Sequence, residues 1–144
     1  MTKVFFYHDA GNRLQAACDL IVKSFAQGKT FTILVSDPER EQFVDRMLWV
    51  QPQLSFLPHC RADAANAAQT PVLLTKDTGL GLPHLHTERL LNLDDRVPES
   101  FARFQNLIEI VSQSEADRAH ARQRSRIYKE QGCEIRFIDL QAPK

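Results

Sequence analysis

The sequence predicts a single α/β domain of three layers, a mostly parallel sheet with helices on both faces. The length of 144 residues suits one domain with its own hydrophobic core. Strand-like and helix-like hydrophobic patterns alternate along the chain, and this alternation implies right-handed crossovers between parallel strands. We expect one domain over residues 1–144, since the sequence contains neither a linker nor an internal repeat.

The first strand and the first helix are predicted within residues 3–28. Residues 3–7 are β-branched and aromatic and lead into a turn signal, which is typical of a strand. Apolar residues then recur every three or four positions, which favours an amphipathic helix. Asn12 is the expected N-cap and Gly28 the expected C-cap of that helix.

The second strand and helix follow directly. The unbroken apolar run 31–35 predicts a strand that is buried on both faces. Asp37 followed by Pro38 marks the start of a helix, which Pro52 ends. Its expected buried stripe consists of Phe43, Val44, Met47, Leu48 and Val50.

The second half of the chain continues the alternation. Strands are predicted at 71–75, 89–93, 107–112 and 135–140, a short helix around 98–104, and a longer helix over 115–131 closed by Gly132. Residues 58–69 and 79–86 have the composition of loops.

The charge distribution limits the partners that the protein can have. The chain carries 18 Lys and Arg against 18 Asp and Glu, so direct binding to duplex DNA is disfavoured. Residues 118–129 nevertheless contain five basic side chains and no acidic one. Arg118, Arg122 and Arg126 follow each other at intervals of four and should share one helix face. Such a face predicts either a solvated helix surface or a contact with an acidic partner.

No recognisable catalytic or cofactor motif is present. The turn after the first strand has a single glycine, Gly11, where a dinucleotide-binding fold needs three. The histidines lack the spacing of a zinc site, and the three cysteines, Cys18, Cys60 and Cys133, form no Cys-x-x-Cys pair and are expected to be reduced. We therefore expect no cofactor, no metal and no catalytic residue.

One enzymatic alternative stays open. Acids follow several of the predicted strands, at Asp9, Asp37, Asp77, Asp94 and Asp95. Carboxylates that converge at the carboxyl edge of a sheet could hold Mg²⁺ for phosphotransfer or hydrolysis. The simpler interpretation is that these acids cap helices and form turns.

Other features concern location and aromatic surface. No apolar run approaches the roughly 18 residues that cross a bilayer, so we expect a soluble cytoplasmic protein without a membrane partner.

Trp49 is predicted at the edge of the second helix's buried stripe, and Phe56 follows it after a short loop. A half-exposed aromatic at such a place belongs either to the core or to the wall of a pocket.

Several segments together resemble the chi subunit of bacterial DNA polymerase III. They are Asp37–Phe43, Leu48-Trp49, Ser55–His59, Leu91–Leu93, Val97-Pro98, Phe101–Phe104, Ile108–Val111, Ala121–Arg124, Tyr128-Lys129 and Gly132. They occur in the same order over nearly the whole chain, and the combination of Leu48-Trp49 with Ser55–His59 is fairly specific.

The resemblance implies a Rossmann-like accessory protein of the clamp loader that binds no nucleotide and is not itself an enzyme. Chi proteins bind the small psi subunit and grip the acidic C-terminal tail of the single-stranded-DNA-binding protein, so nucleic acid is contacted only indirectly. That tail ends in an aromatic residue and a free carboxylate. By position, the resemblance implies Arg122, Arg126 and Arg118 as tail-binding cations and Trp49 and Phe56 as pocket or wall residues. Ser125 and Cys133 stand where the family often has aromatics.

Overall fold

The structure is a computed structural model that describes residues 2–49, 59–61, 72–76, 86–99 and 101–141, with only the backbone described at 49, 60 and 61. Over these residues the chain forms seven strands and three α-helices. They are β1 (Lys3–Ala10), α1 (Arg13–Ala26), β2 (Phe31–Leu34), α2 (Pro38–Trp49), β3 (His59–Arg61), β4 (Val72–Thr75), β5 (Arg89–Asn92), β6 (Asn106–Ser112), α3 (Glu115–Glu130) and β7 (Glu134–Asp139). A short 3-10 helix spans Phe101–Arg103.

The strands form one sheet in the order β3-β4-β2-β5-β6-β1-β7. Each neighbouring pair is parallel. The predicted α/β class is therefore confirmed. Within the described chain the sheet is wholly parallel, as expected when each strand returns through a crossover connection.

The helices cover opposite faces of this sheet. Successive side chains of a strand point to opposite faces, and the strand residues accordingly divide between two hydrophobic clusters. One cluster contains Ile33 and Leu91 and is completed by α1 and α2. The other contains Leu34 and Leu90 and is completed by α3. The helix α3 thus covers β1, β6 and β7 from the face that α1 and α2 do not use.

The predicted starts of α1 and α2 are confirmed by their hydrogen bonds, whereas Val50 and the predicted helix end at Pro52 lie outside the described residues. The side chains of Asn12 and Asp37 accept hydrogen bonds from the backbone N–H groups of the residues three positions later. Ser114 caps α3 in the same way. Gly28 and Gly132 follow α1 and α3 with φ of 77° and 81°, a left-handed conformation in which glycine avoids a Cβ clash.

Four expectations about the elements were wrong in part. The predicted loop 58–69 contains the strand β3, which three residues are too few to reveal by periodicity. Phe43 is 37% exposed, because α2 turns only one side towards the sheet. The short helix predicted at 98–104 is one 3-10 turn, and β1 continues through the expected turn to Ala10. Residues 77–85, which include Asp77 and most of the predicted loop 79–86, lie outside the described residues.

Candidate functional site: a basic groove beside α3

A groove of about 670 Å³ lies between α3 and the carboxyl ends of the neighbouring strands. Its lining residues come from β1, β6, α3 and β7, all on the α3 side of the sheet. They are Phe6, His8, Asp9, Val111, Ser112, Arg118, Ala121, Arg122, Ser125, Arg126, Lys129 and Phe137. The position agrees with the general rule that ligands of open parallel sheets bind beyond the carboxyl ends of the strands.

The cationic wall of the groove comes from α3. Arg118, Arg122 and Arg126 all line it, as does Lys129, so the structure brings the three predicted arginines together. Arg122, Arg126 and Lys129 are exposed, and none of them forms an ion pair with another described residue. Their charges are therefore available to an anionic ligand.

The opposite wall is apolar and aromatic. Phe137 of β7 stacks on the buried Phe6 of β1, with ring centroids 5.6 Å apart and an angle of 21° between the rings. Phe137 remains 58% exposed, while Val111 and Ala121, which also line the groove, are buried. An exposed aromatic ring supported from below is suited to stacking against another apolar group.

One end of the groove carries negative charge. Asp9 accepts a hydrogen bond from His8 Nδ1 at 2.6 Å and pairs with Arg118 at 3.0 Å. The hydrogen bond from His8 and the charges of His8 and Arg118 hold the pKa of Asp9 below its usual value. Asp139 lies beside this pair. His8, Asp9 and Asp139 each offer one atom that could bind a metal ion, and these three atoms lie within 4.8 Å of one another. The groove therefore has a basic end at Arg126 and a mixed end at Asp9.

Arg124 does not belong to this groove, although it lies within the basic run. It is buried on the inner side of α3, where its Nε lies 3.1 Å from Oε1 of the fully buried Glu109. Tyr128 donates a hydrogen bond to the same carboxylate, and Arg124 Nη1 donates one to the carbonyl of Asp95. The basic run 118–129 therefore does not lie on one surface, since Arg124 is buried while Arg122 and Arg126 are exposed. The spacing of Ala121, Arg124 and Tyr128 on one stripe was the sequence signal for its burial.

The acids at the other strand ends are engaged in structural contacts. Asp94 accepts hydrogen bonds from the backbone N–H and the hydroxyl of Ser36. Asp95 pairs with Arg13 at 2.8 Å and with Arg40 at 3.2 Å. Asp37 caps α2. These described acids thus hold turns and helices, which is the simpler of the two interpretations of their positions.

The cysteines that the structure describes in full have free thiols, as expected. Burial raises the pKa of the Cys18 thiol to about 12, so that this group stays protonated. Burial also raises the pKa of Cys133. A thiol in this state packs as a small apolar group and is a poor nucleophile.

None of the described helices combines the length and apolar character needed to cross a membrane.

The aromatic residues proposed from the resemblance are placed less completely. Trp49 is the last residue of α2, and the described part of that helix contributes Val44 and Leu48 to the core on the face away from α3. The Trp49 side chain and all of Phe56 lie outside the described residues. Their part in a binding pocket stays a prediction.

Sequence reasoning missed the contribution of Phe137 and His8. Phe137 lies in a short strand, and no local pattern separates an exposed aromatic from a core one. The burial pattern of β7 does not alternate, since Ile135 and Ile138 are half-buried and both Arg136 and Phe137 are exposed, so a period of two gives no signal for Phe137. The sequence predicts a turn at His8, whereas β1 continues past it.

Comparisons with known proteins agree on one family. A family model described as DNA polymerase III chi subunit, HolC, matches residues 1–136. The DNA polymerase III subunit chi of Pseudomonas aeruginosa is 35% identical over 137 residues, which cover 92% of this chain and 92% of that protein. The protein of the same name from Haemophilus influenzae is 27% identical over 122 residues, which cover 84% of this chain and 83% of that one.

Proposed function

The chain belongs to the DNA polymerase III chi subunit family and so to DNA replication, and from this premise we propose that it is a non-catalytic accessory subunit linking the clamp loader to single-stranded-DNA-binding protein. The link is made in the cytoplasm by gripping that protein's acidic C-terminal tail, and a psi subunit connects the chain to the clamp loader. The observation that supports this proposal most directly is the groove, which combines available cations with an exposed aromatic wall.

The chemistry of the groove matches the chemistry of such a tail. The carboxylates of the tail would accept hydrogen bonds from Arg122 and Arg126, since guanidinium groups bind carboxylates in two-point geometry. The terminal aromatic ring would stack on Phe137, which is exposed and backed by Phe6. Arg118 is a third cation on the same face, but it is already paired with Asp9.

The rest of the molecule favours a tail over DNA as the ligand. The formal net charge is zero, so phosphate backbones are not attracted to the surface as a whole. An acidic peptide needs only a local positive field, which the α3 cations provide. Trp49 and Phe56 stay in the proposal as tail contacts that the described groove does not contain.

Titration of a labelled tail peptide against alanine variants tests the proposal. Each charge-assisted hydrogen bond is worth about 1.5–3 kcal/mol, so Arg122→Ala or Arg126→Ala should weaken binding by roughly tenfold or more. The melting temperature should barely change, because both side chains are exposed. Arg136→Ala is the matched control, since Arg136 is an exposed arginine of β7 that does not line the groove. Trp49→Ala and Phe56→Ala test the two aromatic residues separately.

Two results would contradict this function. Unchanged affinity in both arginine variants, with the fold intact, would leave the α3 cations as a solvated helix surface. A rise in melting temperature on adding Mg²⁺, abolished by Asp9→Asn, would instead favour the metal-dependent alternative.

A further inference from the structure

We propose that Asp9 is a built-in competitor for the ligand of the groove: its carboxylate occupies Arg118, and an incoming acidic peptide must displace it to gain that guanidinium. The inference rests on the proposed function, because it concerns the same groove and the same acidic tail. By this proposal, Asp9 lowers the affinity of the groove for carboxylate ligands.

The ion pair between Asp9 and Arg118 is the kind of carboxylate–guanidinium contact that a carboxylate of an acidic peptide would make. Asp9 Oδ1 lies 3.0 Å from Arg118 Nη2, and both residues line the groove. The side chain of Arg118 is 42% exposed and that of Asp9 28% exposed, so the pair lies at the groove surface and a peptide can reach it. Glu115 Oε1 lies 3.9 Å from Arg118 Nη1, a weaker contact from a far more exposed residue.

The backbone holds Asp9 in this position. The register between β1 and β6 shifts between Tyr7 and Ala10, which is the mark of a bulge. Asp9 has φ of 63°, in the left-handed region that most residues other than glycine avoid. His8 Nδ1 fixes the second carboxylate oxygen at 2.6 Å. The carboxylate is thus directed at Arg118 by the fold of β1 and by its neighbour.

Competition of this kind has a predictable size. An ion pair at the surface favours its paired state by at most about fivefold. A ligand that binds Arg118 needs molecules in which Arg118 is not paired with Asp9. Its apparent affinity is reduced in proportion to the fraction of such molecules. Removing the competitor should therefore tighten binding by about two- to fivefold.

The test is titration of a labelled acidic tail peptide against the wild-type protein, Asp9→Asn, Asp139→Asn, Arg118→Ala and the double variant Asp9→Asn with Arg118→Ala. Asparagine has the shape of aspartate and tolerates the left-handed conformation, so Asp9→Asn should keep the fold. Asp139→Asn is the matched control, because it removes one negative charge from the same group without removing a contact to Arg118. Melting curves check each variant.

The expected result is a two- to fivefold gain for Asp9→Asn, a smaller change for Asp139→Asn, and no gain from Asp9→Asn when Arg118 is alanine. Equal gains in the two asparagine variants would assign the effect to net charge and overturn the proposal. Unchanged or weaker binding by Asp9→Asn, or a gain that survives the loss of Arg118, would overturn it as well. Absence of tail binding by the wild-type protein and by Asp9→Asn would instead defeat the proposed function.

Discussion

Arg122 and Arg124 are two positions apart on α3 and lie in opposite environments. Arg122 lines the groove and is exposed, whereas Arg124 is 97% buried beside Glu109. Oε2 of Glu109 accepts hydrogen bonds from Tyr128 and Asn92, and the Arg124 guanidinium supplies the opposite charge 3.1 Å from Oε1. Burial, with the Glu109 carboxylate as a further cause, holds the pKa of Tyr128 far above its usual value. These side chains join α3 to the sheet beneath the groove.

Alanine at position 124 should therefore reduce stability where alanine at 122 does not. Removing one partner of a buried ion pair costs about 3–5 kcal/mol, since the other charge is left in the interior. For a chain of this size that corresponds to a fall in melting temperature of roughly 10 °C. Calorimetry on Arg124→Ala and Arg122→Ala measures the contrast. Similar melting temperatures for the two variants would show that Glu109 finds other compensation.

The loop after β5 ties all three helices together. Asp95 binds Arg13 of α1 and Arg40 of α2 through its carboxylate. Its backbone carbonyl accepts a hydrogen bond from Arg124 of α3. Asp94 accepts two hydrogen bonds from Ser36, which precedes α2. The carboxylates beyond the ends of β2 and β5 are thus engaged by side chains and backbone groups of the protein itself.

Acid should loosen this junction. Burial alone would raise the pKa of Asp95, but hydrogen bonds from Arg40 and Arg13 outweigh it and hold the pKa below the ordinary value of 3.8. A carboxyl whose pKa is lower in the folded state stabilises the fold when the pH is above its pKa in the unfolded state. This contribution disappears as the pH falls through its pKa in the folded state. Urea midpoints measured between about pH 2 and pH 6 should therefore fall less steeply for Asp95→Asn than for the wild type.

Glu130→Gln serves as the control in that series. Glu130 is exposed at the end of α3 and forms no ion pair with another described residue. We expect its pH profile to follow that of the wild type. If the urea midpoint of Asp95→Asn also falls with pH as that of the wild type does, other carboxylates cause the loss of stability at low pH.

Opposite charges are separated along the described groove, although the formal charges of the whole chain sum to zero. Positive charge is concentrated at the groove end near Arg126, while Asp9 and Asp139 lie at the other end. A neutral particle has little long-range attraction for DNA, but a ligand close to the groove meets the local field. This arrangement suits a protein that approaches nucleic acid only through a protein that coats it.

Recruitment to DNA should accordingly depend on the coating protein. Affinity for bare single-stranded DNA should be weak and should fall steeply with salt. DNA coated with single-stranded-DNA-binding protein should recruit the chain, and part of that binding should survive above about 0.1 M salt, because an aromatic contact with Phe137 is not screened. Sedimentation or surface-binding measurements compare the two. Equal recruitment by a coating protein that lacks its C-terminal tail would argue against tail recognition.

Local patterns of the sequence determined most of the elements. The periodicities that predict β1, α1, β2 and α3 arise within a few residues, and the caps at Asn12 and Gly28 are likewise local. The spacing of Arg118, Arg122 and Arg126 predicts one face, since a helix repeats every 3.6 residues. Short or strained pieces were missed, such as β3 and the bulge at Asp9, because three residues carry no period.

Only the tertiary structure decided what faces the arginines and which basic residue is excluded from the groove. Phe6 and Phe137 come from opposite ends of the chain and meet because β1 and β7 are neighbours in the sheet. Asp9 reaches Arg118 because α3 crosses over β1 on its way to β7. Arg124 is buried because of the side on which α3 meets the sheet. Long-range strand order and helix docking depend on the packing of the whole core, which no local window of sequence contains.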